Sequence, residues 1–172
     1  MTANTAGPVG IAQFKFTLAT STITGVTNVQ LYGFTDSAYS QAISGQSTGG
    51  QIGSTKAGVA AAAFTMAPSE AGHSPVQVPA GQTYYFELRG SVAGVQTGSS
   101  VVTTLLGDGA YGTTFTSGYQ AQNVAQATSS DSKNFVWSGN STTTAGLFDT
   151  DWSDGYSIPG LPSSGLIQTR SN

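Results

Sequence analysis

Three aspartates stand close together near the C-terminal end of the chain, in the segment D-T-D-W-S-D-G. They are Asp149, Asp151 and Asp154, and Gly155 follows directly. Several carboxylate oxygens from one tight loop are what a hard cation such as Ca²⁺ requires. The spacing is one residue away from the start of an EF-hand loop, and no Glu follows at the right distance. Two interpretations stay open: a Ca²⁺ site, and an acidic turn whose carboxylates cap backbone N–H groups, which we favour.

Aromatic residues in the same part of the chain could bind a sugar. Trp152 lies within the acidic segment and Tyr156 comes directly after it. Flat rings can stack on sugar faces, and they can equally build a core because each buries a large area. We favour a core role for Trp137, which Phe135 and Val136 precede. Trp152 and Tyr156 are therefore the candidate ligand-binding residues.

The sequence contains no recognisable set of catalytic residues. Its single histidine, His73, stands in the polar segment SEAGHSP near Ser69 and Ser74. A Ser-His-Asp triad is defined by the geometry of nucleophile, base and orienting carboxylate, which nearness in sequence does not supply. We predict that the chain is not an enzyme.

The composition argues against several classes of partner. Only 8% of the residues are charged, the net charge is −3 and the pI is about 4.7. A chain without a basic patch is a poor partner for nucleic acid or for an anionic membrane. No run of residues reaches the ~20 apolar positions that a membrane-spanning helix needs. Because Cys is absent, disulfides and thiolate metal sites are excluded, and apart from the Ca²⁺ alternative we predict no cofactor.

The elements that must position these residues are strands. In Val76 to Val92, VQVPAGQTYYFELRGSV, a Pro-Ala-Gly-Gln turn precedes a stretch in which apolar and polar side chains alternate. The alternation places Tyr84, Phe86, Leu88 and Val92 on one face, and Tyr85, Glu87, Arg89 and Ser91 on the other. A period of two in residues of this kind predicts a half-buried strand, which we assign to the centre of a two-sheet sandwich.

Further strands are predicted at roughly ten-residue spacing, with turn signals between them. They cover residues 12–18, 29–34, 51–55, 57–66, 100–106, 110–115 and 134–138. In the first of these, Phe14, Phe16 and Leu18 share the inward face. The Ala-rich segment 57–66 has a short helix as its alternative, because Ala is the best helix former. This pattern predicts an all-β sandwich of antiparallel strands.

One sandwich domain is expected over residues 11–165. A flexible segment, residues 1–10, precedes it, and a flexible tail, residues 166–172, follows it. Residues 107–165 either belong to the same core or form a C-terminal extension that packs on it. No signal peptide is present, and we expect Met1 to be a start placed on a trimmed mature segment.

Three phrases of the sequence carry a family resemblance. They are NVQLYGFTDSAYSQ with GQIGSTKAG, then VQVPAGQTYYFELRGSVAGVQTGSSVVTTLLGDGA, and finally NFVWSGNSTT with DTDWSDGYSIPGLPSSG. Together they cover most of residues 26–165 and resemble modules of large predicted surface proteins from candidate-phyla bacteria. The resemblance implies an immunoglobulin-like or fibronectin-like β-sandwich, secretion and a role at the cell surface. It supplies no catalytic residues.

These observations predict a non-enzymatic, secreted or cell-surface β-sandwich module with a structural or adhesive role in a larger surface protein. The alternative is a glycan-binding module that uses the exposed aromatic residues of the C-terminal part, Trp152 and Tyr156. The expected partners are other modules of the same surface protein, or glycans and proteins at the cell surface. Neither nucleic-acid binding nor insertion into a membrane is expected.

Overall fold

The computed structural model describes residues 1–59, 63–109, 134–141, 144, 151–156 and 158–172. These parts of the chain are all-β, with two antiparallel sheets and two short 3-10 turns at Thr48–Gly50 and Pro68–Ala71. The strands are β1 (Val9–Ser21), β2 (Gly25–Phe34), β3 (Gln51–Val59), β4 (Phe64–Met66), β5 (Val76–Val78), β6 (Tyr85–Ala93), β7 (Ser100–Leu105), β8 (Val136–Ser138), β9 (Ser153–Asp154) and β10 (Leu166–Ser171). Within the described ranges, no helix has the length and apolar character that crossing a membrane requires.

Strand β1 is the centre of the larger sheet and has neighbours along both of its edges. Near its start, Ile11 lies between β5 and β8. Further along, Phe16 lies between β4 and β7. Strand β9 then pairs with β8, and β10 pairs with β7. One 13-residue strand is therefore the centre of a sheet that has seven strands with β1 included.

The smaller sheet has three strands in the order β3-β2-β6. Strand β2 pairs with β3 on one side and with β6 on the other. Among the described residues β6 pairs with β2 and stands at an edge of the smaller sheet, whereas the sequence predicts a central strand over residues 84–92. Alternation reports which face of a strand is buried, but it carries no information on how many neighbours the strand has.

The main core lies between the two sheets. From β1 it takes the predicted inward residues Phe14, Phe16 and Leu18, all buried. The Phe14 ring lies 5.0 Å from the ring of Phe86 in β6, so the two sheets meet directly at this pair. Other buried members of this core are Ala3, Ile11, Val26, Val29, Leu31, Ile43, Ile52, Met66, Val76, Val78, Phe135 and Leu161. The prediction of an all-β fold with two antiparallel sheets is confirmed.

The first residues, predicted to be flexible, are tied to the segment before β6. The N-terminal ammonium of Met1 donates to the Tyr84 carbonyl oxygen at 2.7 Å, and the Tyr84 N–H donates back to the Met1 carbonyl at 2.9 Å. The Ala3 N–H donates to the Gln82 carbonyl, and Ala3 is buried in the core. Backbone hydrogen bonds of this kind need no particular side chains, which is why small polar residues gave no sign of them.

In the segment predicted as a flexible tail, residues 166–172, Leu166–Ser171 forms strand β10 along β7. The Ala-rich segment contributes to strands at both ends, as the last part of β3 and as β4, in agreement with the strand interpretation. The strand predicted over residues 110–115 lies outside the described residues.

We expect Phe14→Ala to lower the free energy of unfolding by about 3–5 kcal/mol, because the substitution removes a buried ring from the contact between the sheets. Val92→Ala is the matched control, since Val92 is 42% exposed. It should change the free energy of unfolding by about 0.5 kcal/mol or less. Urea denaturation measures both values. Equal effects would contradict a core centred on β1.

Candidate functional site

Aromatic and charged side chains gather on the face of the smaller sheet that points away from the core. The set consists of Tyr32 and Phe34 from β2, Tyr85, Glu87 and Arg89 from β6, and Tyr39 from the loop after β2; we call it the Tyr39 face. In the pairing of the two strands, Tyr32 stands opposite Glu87 and Phe34 stands opposite Tyr85. Side chains alternate along a strand, so these residues lie opposite the core-facing Leu31.

Arg89 lies over two of the rings. Its guanidinium carbon is 4.6 Å from the centre of the Tyr32 ring and 5.7 Å from the centre of the Phe34 ring, which is the geometry of a cation–π contact. Arg89 also donates from Nε and Nη2 to Glu87 Oε2, at 2.9 and 2.7 Å. The Glu87 hydrogen bond is the main cause that raises the pKa of Arg89 above its ordinary value. The face therefore carries a fixed pair of opposite charges.

Tyr39 is the exposed ring of this face. It packs edge-to-face on Phe34 and Tyr85, with ring centroids 5.5 and 6.4 Å away, and 43% of the residue stays exposed. Its backbone has a φ of 56°, in the left-handed region that a bulky residue seldom adopts. Such a conformation costs on the order of 1–3 kcal/mol and persists only where the surroundings enforce it.

The loop that carries Tyr39 is held by one carboxylate. Asp36 accepts hydrogen bonds from the Gln41 N–H at 2.7 Å and from both the N–H and the hydroxyl of Ser40 at 3.0 and 2.9 Å. The Gln41 bond leads the causes that lower the pKa of Asp36. Beyond it, buried Ile43 closes the loop by donating its N–H to the Gly33 carbonyl at 3.1 Å. These contacts fix the position of the strained Tyr39.

Amide and hydroxyl groups extend the same face across β3. Gln30 donates from Nε2 to Gln51 Oε1 at 3.3 Å and to Thr55 Oγ1 at 3.0 Å, and Gln51 Nε2 donates to Thr55 Oγ1 at 3.1 Å. Gln51 stands opposite Tyr32 in the strand pairing, and Gln30 stands opposite Arg89. The outer face of the smaller sheet thus runs from stacked rings through a charge pair to neutral polar groups.

Of the aromatic residues that the sequence singled out, Trp152 is buried. It is 2% exposed and packs with Ala12 and Val136. The small residues of β1 make room for it, since a Cβ placed on Gly10 would lie 3.3 Å from Trp152 Cη2. This burial corrects the expectation that the Trp152 ring is available for stacking on a ligand. Trp152 stands in an acidic segment, directly after Asp151, and the β1 residues that cover it lie far away along the chain.

Tyr156 and Trp137 occupy different environments. Tyr156 is 40% exposed, so its assignment as a ligand-binding residue stays a prediction. Trp137 packs against the main core, as predicted, and its indole Nε1 donates to the Asp154 carbonyl at 2.8 Å.

The aspartates of the acidic segment are engaged with the protein itself where the structure describes them. Asp151 accepts hydrogen bonds from the Ser138 hydroxyl at 2.8 Å, and from the N–H and hydroxyl of Ser141 at 2.8 and 2.6 Å. Asp154 is buried and accepts from the Tyr156 N–H at 3.2 Å. Asp149 lies outside the described residues. Among the described ones no group of three or more possible metal ligands is found, and Ca²⁺ binding stays a prediction.

Two opposing effects act on the pKa of Asp151. Partial burial raises it, and the hydrogen bonds from the hydroxyl and N–H of Ser141 and the hydroxyl of Ser138 lower it. Together the three hydrogen bonds prevail, so the pKa lies below the ordinary value of 3.8. The carboxylate therefore caps this segment in its ionised form.

Asp108, which follows β7, is a structural carboxylate. It is buried and accepts hydrogen bonds from the N–H groups of Asn134, Phe135 and Gly155, at 2.9, 3.1 and 2.8 Å. A Cβ on Gly155 would lie 2.9 Å from Asp108 Oδ2, which explains a glycine there. Asp108 thus joins the end of β7 to the start of β8 and to the turn after β9.

The histidine contacts a serine distant from it in sequence. His73 Nε2 lies 2.9 Å from Ser47 Oγ, and the His73 N–H donates to the Pro68 carbonyl at 3.1 Å. The serine that the fold brings to this imidazole is therefore Ser47, which is distant in sequence from Ser69 and Ser74.

Comparison with protein-family models, with curated proteins and with solved structures finds no match for this chain.

We expect Asp108→Ala to lower the free energy of unfolding by about 2–4 kcal/mol, because it leaves three N–H groups without their charged acceptor in a buried place. Asp36→Ala is the comparison, since water can replace that more accessible carboxylate, and its effect should be clearly smaller. Chemical denaturation measures both. A smaller effect for Asp108→Ala than for Asp36→Ala would refute this structural role.

The lowered pKa of Asp151 predicts a pH dependence of stability. Because the pKa is lower in the folded chain than in the unfolded one, the ionised carboxylate stabilises the fold above the ordinary value of 3.8. This contribution is lost as the pH falls through the folded-state pKa. Asp151→Asn should therefore melt below the wild type at neutral pH, and the difference should shrink below about pH 4.

Thermal melts followed by circular dichroism across this pH range test the prediction. Ser141→Ala removes the shortest hydrogen bond to Asp151 and keeps the carboxylate, so it should reduce the pH dependence only in part. A gap between wild type and Asp151→Asn that stays constant at every pH would contradict the assignment.

Proposed function

We propose that this chain is a non-enzymatic, immunoglobulin-like module of a secreted or cell-surface protein, with an adhesive or structural role. Two antiparallel sheets around one core support a sandwich module, and the low charge of 8% fits an exposed surface rich in hydroxyl groups and glycine. The resemblance to modules of large bacterial surface proteins supports the immunoglobulin-like class and the extracellular location.

The observation that supports an adhesive role most directly is the exposure of the Tyr39 ring on a strained backbone. A bulky ring stays 43% exposed although its backbone is held in a strained conformation. Asp36 and the end of the loop at Ile43 keep that conformation in place. Strain that is maintained at a surface position favours contact with a partner over a purely internal role.

A glycan-binding module is the second candidate function, and the exposure of Tyr39 favours it. The burial of Trp152 removes one of the two aromatic residues expected to form a platform in the C-terminal part. The Tyr39 face offers a different platform, with an exposed ring next to donors and acceptors of hydrogen bonds.

Surface labelling of cells that express the parent protein tests the location and role. Antibodies against the purified chain should label intact cells, and protease added outside should remove the label. A cytosolic protein detected in parallel is the control for lysis. Labelling that appears only after the cells are broken would refute the proposal of a surface module.

A further inference from the structure

We propose that the Tyr39 face binds a neutral polysaccharide, with the ring of Tyr39 stacking on a sugar and the polar groups beside it contacting the hydroxyls. This inference deepens the glycan-binding role proposed above, on which it rests: it names the surface and the chemical class of the ligand.

The first step concerns the combination of groups. Tyr39 and Arg89 border the same Phe34 ring, at 5.5 Å between ring centroids and 5.7 Å from guanidinium carbon to centroid. A pyranose has an apolar C–H face and a rim of hydroxyls, each able to donate and accept hydrogen bonds. The exposed ring of Tyr39 suits the apolar face. Arg89 as donor and Glu87 as acceptor suit the rim.

The second step concerns charge. The Nε and Nη2 groups of Arg89 already donate to Glu87, so the pair presents no net charge to a ligand. An anionic polymer would meet the Glu87 carboxylate beside Arg89, and it would approach a chain of net charge −3. A polycation would meet the Arg89 guanidinium. Charge complementarity therefore favours a neutral ligand.

The third step concerns shape. Beyond the rings, the amides of Gln30 and Gln51 and the hydroxyl of Thr55 continue the face over β3. Neighbouring strands lie about 4.8 Å apart, so the three strands span about 10 Å between the outer two. A face of this width can contact more than one sugar ring of an extended chain. This favours a polysaccharide over a single sugar.

The fourth step concerns the cost of binding. Ordering a side chain on association opposes binding by about 0.5–1.5 kcal/mol. Tyr39 is already fixed by its two ring contacts and by the Asp36 loop, and Arg89 is fixed by Glu87 and the rings below it. Both groups are therefore ordered before the ligand arrives.

Affinity electrophoresis on native gels tests the proposal. The gels contain one soluble polysaccharide each: dextran, laminarin, glucomannan, galactan or xyloglucan as neutral probes, and alginate or polygalacturonate as anionic probes. At least one neutral polysaccharide should retard the wild-type chain relative to serum albumin, and neither anionic polymer should. The dependence of migration on polysaccharide concentration gives Kd.

Variants of the face then locate the site. Tyr39→Ala and Arg89→Gln should each raise Kd for the retarding polysaccharide by about tenfold or more, the effect of losing a central contact. Tyr39→Phe keeps the ring and should bind within a few-fold of the wild type. Ile167→Ala is the control, because it truncates an exposed apolar side chain on β10 of the other sheet, and it should bind unchanged. Gln51→Ala tests the β3 part of the face without touching the Tyr39 loop.

Several results would overturn the inference. They are the absence of retardation in every neutral gel, unchanged affinity in both Tyr39→Ala and Gln51→Ala, and binding of an anionic polymer that depends on Arg89. Dimerisation in analytical ultracentrifugation that Tyr39→Ala abolishes would assign the face to a second copy of the chain instead. The gel assay is independent of surface labelling, so failure of this inference can be told apart from failure of the proposed location.

Discussion

The whole fold depends on strand β1 being satisfied on both edges and on its inward face. A buried strand must pair its backbone N–H and C=O groups, because each unpaired group costs free energy. Four strands, β4, β5, β7 and β8, each pair with a different part of β1. Strands β7 and β8 in turn pair with β10 and β9. On the inward face, the Phe14 ring contacts Phe86 of the other sheet and Phe135 next to β8. Sheet formation and sheet packing are thus coupled through one strand.

Charged residues are few in this chain, and several of them act as acceptors for the backbone. Asp36, Asp108 and Asp151 each take N–H groups that would otherwise lack a protein partner. Short carboxylates serve this purpose because they reach nearby backbone groups without burying a long side chain. Asp108 is the most consequential of the three, since it joins segments that are far apart in sequence and is buried. These carboxylates therefore hold loops and turns together.

The alternation of side chains along the sequence predicts which face of a strand points inward. It does not predict contacts that depend on segments far away along the chain. Alternation placed Phe14 and Phe86 inward correctly, because the period of a strand is a property of the strand alone. The burial of Trp152 depends on Gly10 and Ala12, which are distant in sequence. Tyr39 stands in a polar, Ser-containing stretch, and only the fold shows that it packs on rings from two strands. Contacts between residues distant in sequence are therefore the part of the fold and of the site that the sequence pattern does not predict.

The backbone strain of Tyr39 and its ring contacts act on stability in opposite directions. A bulky residue at φ 56° costs on the order of 1–3 kcal/mol, whereas glycine would remove that cost. The two aromatic contacts of Tyr39 return about 0.5–1.5 kcal/mol each beyond the area that they bury, so the packing of the ring offsets the strain. The side chain adds an exposed ring beside the Arg89–Glu87 pair, and the proposed binding role rests on this ring.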